Sequence, residues 1–324
     1  MFYSHYRIQC RFLEDGTLSV FKGSALRGAF GAALKRAVCT VREKDCPACI
    51  LYNQCLFAKF FMEQKNNQNE KSPSIPHPYI IEPPQDSKRV YTKGEEFEFS
   101  LIILGNTYEK LPFIIYAFEL MGSKGIGKAN STEFKNTPFE IIGIKSSHMQ
   151  AEPQIYDTEK KQLSHIPSPV VLEYASPILS NNEFTPKRNQ ELTVYLETPL
   201  RYKADNSFHT ALTFEDLFKL MVRRIEVTFR EFGEKQPEIE YKNLLQQAKN
   251  ISITESGIIW KDQSRYSVRQ KQALKIGGLE GRISFKGDFT EFIPLLNLAI
   301  LLHLGKQTSF GLGKIQYELK DSME

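Results

Sequence analysis

Gly305-Lys-Gln-Thr-Ser-Phe-Gly311-Leu-Gly313-Lys314 follows an almost wholly apolar segment, roughly Thr290 to His303, and precedes a strand pattern ending near Leu319. A shorter version, Gly125-Ile-Gly127-Lys128, follows a helical pattern from Glu109 to Met121 and precedes a strand near Phe139 to Ile144. The two Gly-x-Gly-Lys runs lie 186 residues apart. So do Ile8 and Val194, each inside an alternating apolar/polar stretch that reads as a half-buried strand. Matching signals at matching places in the element order predict a duplicated unit.

Working outward, the first half reads as a strand (Tyr6, Ile8, Cys10 and Phe12 on one face) and a helix from about Ser24 to Val38. A short strand at Tyr79-Ile80-Ile81, a strand through Phe97, Phe99, Leu101 and Ile103, the second helix and the last strand follow. Gly28 and Gly31 weaken the first helix and suggest close backbone packing. The second half reads as a strand through Leu192, Val194 and Leu196 and an amphipathic helix from Thr213 to Phe232. Strands near Arg265–Arg269 and Leu279–Lys286 precede the apolar helix and the last strand. The expected fold is α+β, two tandem ferredoxin-like (βαββαβ, RRM-like) domains. They would span residues 1–150 and 188–324, joined by a proline-rich connection over 151–187.

At 324 residues the chain has room for two domains. No apolar run approaches the roughly 20 residues of a membrane span. The first residues show no basic flank leading into an apolar core, so a cytoplasmic protein is expected. The net charge of +4 is too small to argue for nucleic acid, but the segment Gly257–Gly287 alone carries +5, from Lys261, Arg265, Arg269, Lys271, Lys275, Arg282 and Lys286 against Asp262 and Glu280. Cys39, Cys46, Cys49 and Cys55 fall within seventeen residues, an insertion near 39–61 in the first domain. Without an export signal such a cluster points to a metal site rather than disulfides. Four thiolates suit structural zinc and equally suit an iron–sulfur cluster. Four protein ligands leave no open position, so no catalytic work is expected of the metal.

The glycines of 305–314 would let backbone N–H groups approach an anion, with Lys306 and Lys314 supplying charge; a structural turn is the alternative. The loop closes a helix and opens a strand, the reverse of a phosphate-binding P-loop. Zinc-protease, hydrolase-elbow and paired-carboxylate motifs are missing from the sequence.

Four stretches, taken in order, resemble one family. They are Gly23-Ser-Ala-Leu-Arg-Gly28-Ala-Phe-Gly31, the cysteine run ending in Cys55-Leu-Phe-Ala-Lys-Phe-Phe61, and Pro78-Tyr-Ile-Ile-Glu-Pro83-Pro84 leading to Gly94-Glu-Glu-Phe97. The fourth runs from Arg265-Tyr-Ser-Val-Arg-Gln-Lys-Gln272 through Gly277-Gly-Leu-Glu-Gly281 to the Gly-rich loop. Together they are similar to the CRISPR repeat-RNA processing endoribonucleases of the repeat-associated mysterious protein (RAMP) superfamily. The resemblance implies an antiviral-defence nuclease that binds the repeat RNA of a precursor CRISPR transcript. It would cut once per repeat without metal, by attack of a 2′-OH, leaving a 2′,3′-cyclic phosphate. The alternative is a non-catalytic RAMP subunit that protects CRISPR RNA in an effector complex.

Many relatives carry a histidine in or near the first helix, and this chain has none there. Lys22, Arg27, Lys35 and Arg36 are the local substitutes, and His303, Arg27 and Lys35 are the expected catalytic contributors. Expected RNA-binding residues are Arg265, Arg269, Lys271, Lys275, Gly305, Lys306, Gly311, Gly313 and Lys314, and expected metal ligands are the four clustered cysteines. His77, His148, His165 and His209, in polar or proline-rich stretches, read as exposed.

Overall fold

Burial alternates along Phe2–Phe12 (β1), with Tyr6, Ile8, Cys10 and Phe12 inside. A strand with one apolar face must lie against helices. The computed structural model describes residues 1–42, 45–62, 75–174, 190–204, 207–267 and 272–321. They form two units, Met1–Val171 and Leu172–Glu324.

In the first unit β1 is followed by α1 (Gly23–Val38), a short helix α2 (Leu56–Phe61), β2 (Tyr79–Glu82), β3 (Glu96–Leu104), α3 (Leu111–Lys124) and β4 (Phe139–Ser146). The sheet is antiparallel, in the order β4-β1-β3-β2, with Ile8 opposite both Phe99 and Ile144. Its apolar face packs with Leu26, Phe30 and Leu34 of α1 and Ile114, Phe118 and Met121 of α3 in one buried cluster. Phe30 sits at the centre of an aromatic group, 4.8 Å from Phe118 and 5.7 Å from Tyr79 between ring centroids. Gly31 is the close approach expected of α1, since a Cβ there would lie 2.8 Å from the Phe61 ring. A Cβ at Gly28 would meet no other atom within 4 Å outside its own stretch of helix. Residues 151–171, expected as connection, belong to this unit. Tyr156–Asp157 pairs with Gln162–Leu163, and Val170–Val171 pairs with Phe2–Tyr3 on β1.

The second unit runs β5 (Gln190–Leu200), α4 (Phe214–Phe232), α5 (Tyr241–Lys249), β6 (Ser252–Ser256), β7 (Ile259–Ser267), β8 (Gln272–Gly287), α6 (Ile293–Leu302) and β9 (Ile315–Asp321). Its antiparallel sheet has the order β9-β5-β8, with β6 and β7 pairing successive stretches of β8. Thr213 and Asp216 form a reciprocal capping box that starts α4. Phe214 then packs on Phe285, Phe289 and Phe292. Both units are mixed α+β with an antiparallel sheet; the second adds a helix and a strand, α5 and β6, to the β-α-β-β-α-β order expected of it. The strand expected at Arg265–Arg269 begins earlier, at Ile259, as one arm of a β7–β8 hairpin. Helix α5 and strand β6 were not anticipated. Only Leu244 and Ala248 of α5 are buried, and all of β6 is exposed, so neither leaves a strong apolar period.

The two Gly-x-Gly corners have the same backbone character. Gly125 and Gly127 have φ of +73° and +67°, and Gly311 and Gly313 have +93° and +74°. A Cβ at Gly313 would lie 1.8 Å from the Leu304 carbonyl oxygen. Gly313→Ala is therefore expected to cost more than about 2 kcal/mol in strain. Gly28→Ala, in an open helical position, should gain roughly 0.5–1 kcal/mol. Denaturant melts of the two variants should move in opposite directions; like shifts would contradict these assignments.

Candidate functional site

In the second unit the end of β5 holds the Gly-rich loop. Thr198 Oγ1 donates to the Gly311 carbonyl at 2.8 Å and accepts from the Lys314 amide at 2.8 Å. The Gly313 amide donates to Pro199 O, the Leu304 amide to Gly313 O and the Lys306 amide to Arg201 O. The Gly311 amide donates to Thr308 O. Gly311 and Gly313 are buried with their amides already satisfied. Their glycine character serves the turn, the structural alternative raised by the sequence, and not an open phosphate cradle. His303 ends α6 with a φ of +57°, is fully buried, and donates from Nδ1 to Leu312 O at 3.1 Å. It is a clasp between helix end and loop, with no face turned outward for acid–base work. Arg224 caps the same helix end, its Nε donating to Leu302 O at 3.0 Å, and burial pushes its guanidinium down to about 10.

The loop's outward product is Lys306, an exposed side chain whose pKa lies below the usual lysine value. Partial desolvation is the largest cause, followed by the positive charges of Lys203, Arg223 and Arg201. Phe208 lies against two of these cations, its ring centroid 4.1 Å from the Arg201 guanidinium and 5.0 Å from the Lys203 ammonium. Trp260 is 6.0 Å from Phe208 and donates to Asp262 Oδ1 at 2.9 Å. Clustered like charges repel until an anion arrives, and flat rings among them offer a stacking surface. Lys314 instead lies 3.8 Å from Glu197. Two cations of the +5 segment are also paired, Lys261 with Glu280 and Arg282 with Glu255. Arg265 and Lys275 lie on the β7–β8 hairpin, across from Leu274 and Ser264 respectively. Arg269 and Lys271 fall outside the described residues.

In the first unit α1 presents Arg27 and Lys35 on one flank. Arg27 Nη2 donates to His77 Nε2 at 3.2 Å, and its guanidinium lies 5.1 Å from the Phe61 ring centroid. Lys35 Nζ lies 5.4 Å from the Phe57 ring, which stacks on Phe61 at 5.4 Å. A guanidinium can only donate, so His77 accepts at Nε2 and its neutral ring carries the proton on Nδ1. His77 also lies 5.8 Å from Tyr79, and it is half-buried rather than freely exposed. Eight residues of helix separate Arg27 from Lys35, a rise of about 12 Å. The two cations therefore address different points of any extended ligand. Lys22, another local substitute, is 1% exposed and donates to Asp86 Oδ1 at 2.9 Å, which anchors the start of α1.

The cysteines occupy the turn between α1 and α2. Cys39 follows α1, Cys46 and Cys49 bracket a single helical turn, and Cys55 caps α2. All four are free and partly buried, and no three His, Cys, Asp or Glu side chains among the described residues gather to hold a metal. The expectation of zinc or an iron–sulfur cluster finds no support in this geometry, and no chemistry is routed through a metal here.

Residues 1–168 match a family model described as the AF_1859_N N-terminal domain, and residues 194–315 match that of the CRISPR-associated endoribonuclease Cas6. The chain carries the AF_1859_N N-terminal domain over its first half, and its residues 194–315 are similar to the Cas6 endoribonucleases. An uncharacterized protein of Archaeoglobus fulgidus is 24% identical over 299 residues, covering 91% of each chain. A partial Cas6-RT-Cas1–Cas2 complex matches with a TM-score of 0.57 at 14% identity, and a Cas6 product complex with 0.54 at 11%. These likenesses concern the fold. The chain is covered fully by the first structure but spans only 46% of that structure's chain; for the second the shares are 98% and 100%. No helix among the described residues is long and apolar enough to cross a membrane.

Sequence reading named Arg27, Lys35 and Lys306 as candidates but not His77, Arg201, Lys203, Phe208 and Arg223, which the structure places beside them. The cations and rings of the second unit come from four separate elements, so no local charge run announces them. The Arg201-x-Lys203 alternation at the end of β5 was the one available signal. The Lys306 side chain should titrate below an ordinary lysine by NMR, and Arg223→Gln should raise it toward the ordinary value. A titration that ignores Arg223→Gln would contradict the cluster.

Proposed function

We propose that the protein binds the repeat RNA of precursor CRISPR transcripts and cleaves it by attack of a 2′-hydroxyl on the adjacent phosphate, without a metal ion. The observation that carries the reading is the cation–aromatic cluster of Arg201, Lys203, Arg223 and Lys306, with Phe208 against Arg201 and Lys203. Positive charge answers phosphate and flat rings answer unstacked bases, the pairing that single-stranded RNA requires. Two mixed α+β units, read as ferredoxin-like, and the likeness of residues 194–315 to Cas6 agree with it. The Cas6 product complex and the Cas6-RT-Cas1–Cas2 complex suggest the partners, repeat RNA and other CRISPR proteins.

His77 and Arg27 are the acid–base pair of the proposal. When Arg27 turns from Nε2 toward a phosphate, the freed lone pair takes the proton of the 2′-hydroxyl. The 2′ oxygen bonds to phosphorus, the bond from phosphorus to the 5′ oxygen breaks, and that oxygen takes a proton from water. The imidazolium then returns its proton to water. The products are a 2′,3′-cyclic phosphate and a 5′-hydroxyl, and Arg27 offsets the charge that grows on the phosphorane. Lys35, some 12 Å along the helix, holds a neighbouring part of the strand. A histidine delivered to α1 from the segment before β2 favours the enzyme over the binding subunit.

Single-turnover cleavage of end-labelled repeat RNA in excess EDTA tests this. The parent should cut at one site, and His77→Ala should lose about 10²–10⁴-fold in rate. Lys203→Ala with Lys306→Ala should weaken binding and flatten its dependence on log salt, by about 0.7 per lost phosphate contact. RNA bound tightly but left uncut by the parent would replace the nuclease with the non-catalytic RAMP subunit. An unchanged salt slope would remove the cluster from the interface.

A further inference from the structure

The opposite flank of α1 meets α3 in a recess of about 390 Å³, within the range of about 300–1,000 Å³ usual for small-molecule sites. Its floor is apolar, built from Ala29, Ala32, Ala33, Leu120 and Met121. Its rim is polar and cationic, built from Arg36, Ser123, Lys124 and Asn136. No carboxylate lines it. Among the described residues, Arg36 and Lys124 pair with no acidic side chain. Asn136 Nδ2 donates to Lys124 O at 3.3 Å, which fixes the amide and leaves its oxygen able to accept. The floor exists because α1 carries small residues where it faces α3; larger side chains at Ala29, Ala32 and Ala33 would fill the space.

A ligand matched to this recess needs a flat apolar body, edges that form hydrogen bonds, and an attached anion. We propose that it holds a single nucleotide, its base on the alanine and methionine floor, its edge at Asn136 and its phosphate between Arg36 and Lys124. The source is a nucleotide of the bound RNA strand, splayed out of its stack; this assignment of source rests on the RNA-binding reading above. The recess lies on the flank of α1 turned away from Arg27 and His77, so it fixes the position of the strand and takes no part in the bond changes.

Equilibrium dialysis of the full chain against labelled AMP, GMP, CMP and UMP tests it, with repeat RNA as competitor. At least one nucleotide should bind with Kd below about 1 mM, and repeat RNA should displace it. Ala32→Trp, which fills an exposed part of the recess, and Arg36→Glu should each weaken nucleotide binding at least tenfold while retaining the parent's melting temperature. If no nucleotide binds, or if both folded variants bind like the parent, the site is wrong. Binding that repeat RNA fails to displace overturns the strand as source. Binding that RNA displaces, in a parent that cuts nothing, would leave this inference standing while the cleavage reading falls.

Discussion

Thr198 is the fixed point of the second unit. One hydroxyl, at the end of β5, donates to Gly311 and accepts from Lys314, so it ties the outgoing turn to the strand it runs beside. The turn can come this close only because Gly313 has no side chain, its Cα facing the Leu304 carbonyl at a distance no Cβ could occupy. His303 and Arg224 close the helix end behind it. With the backbone of the turn held in this way, Lys306 is left exposed among three other cations. Rigid backbone beneath a strained cluster of charge is what an anion site requires.

The first unit solves a different problem with one helix. The core stripe of α1, through Leu26, Phe30 and Leu34, fixes its rotation on the sheet. That rotation sends Arg27 and Lys35 to the side of α2, and Ala29, Ala32 and Arg36 to the side of α3. The cysteine-bearing turn also positions aromatic rings against these cations. It delivers Phe57 and Phe61 as a stacked pair against the two cations, and Gly31 makes room for the second ring.

Much of the architecture was legible because it depends on local signals. Period-two strands such as Phe97–Ile103, the amphipathic α4 and the paired Gly-x-Gly corners all survive as read, since burial and positive φ leave direct marks on residue choice. Three features were not legible. His77 sits in a proline-bounded stretch that reads as exposed, and only tertiary packing brings it to Arg27. Gly311 and Gly313 carry the same letters whether a loop cradles an anion or merely turns sharply, and the hydrogen bonds of Thr198 decide between the two. The cysteine spacing suits a metal, but spacing gives no direction to the thiols, and the turn here does not bring three of them together.

The central claim is that the RNA's own 2′-hydroxyl is the nucleophile, with protein side chains handling the proton. Replacing that single hydroxyl by hydrogen at the nucleotide 5′ of the cut, and following both binding and cleavage of the repeat, tests it most directly. The account predicts that the deoxy-substituted RNA binds with nearly the parent affinity and is not cut at that site. Cleavage of the substituted RNA at the same bond would show that another nucleophile, such as water, does the work.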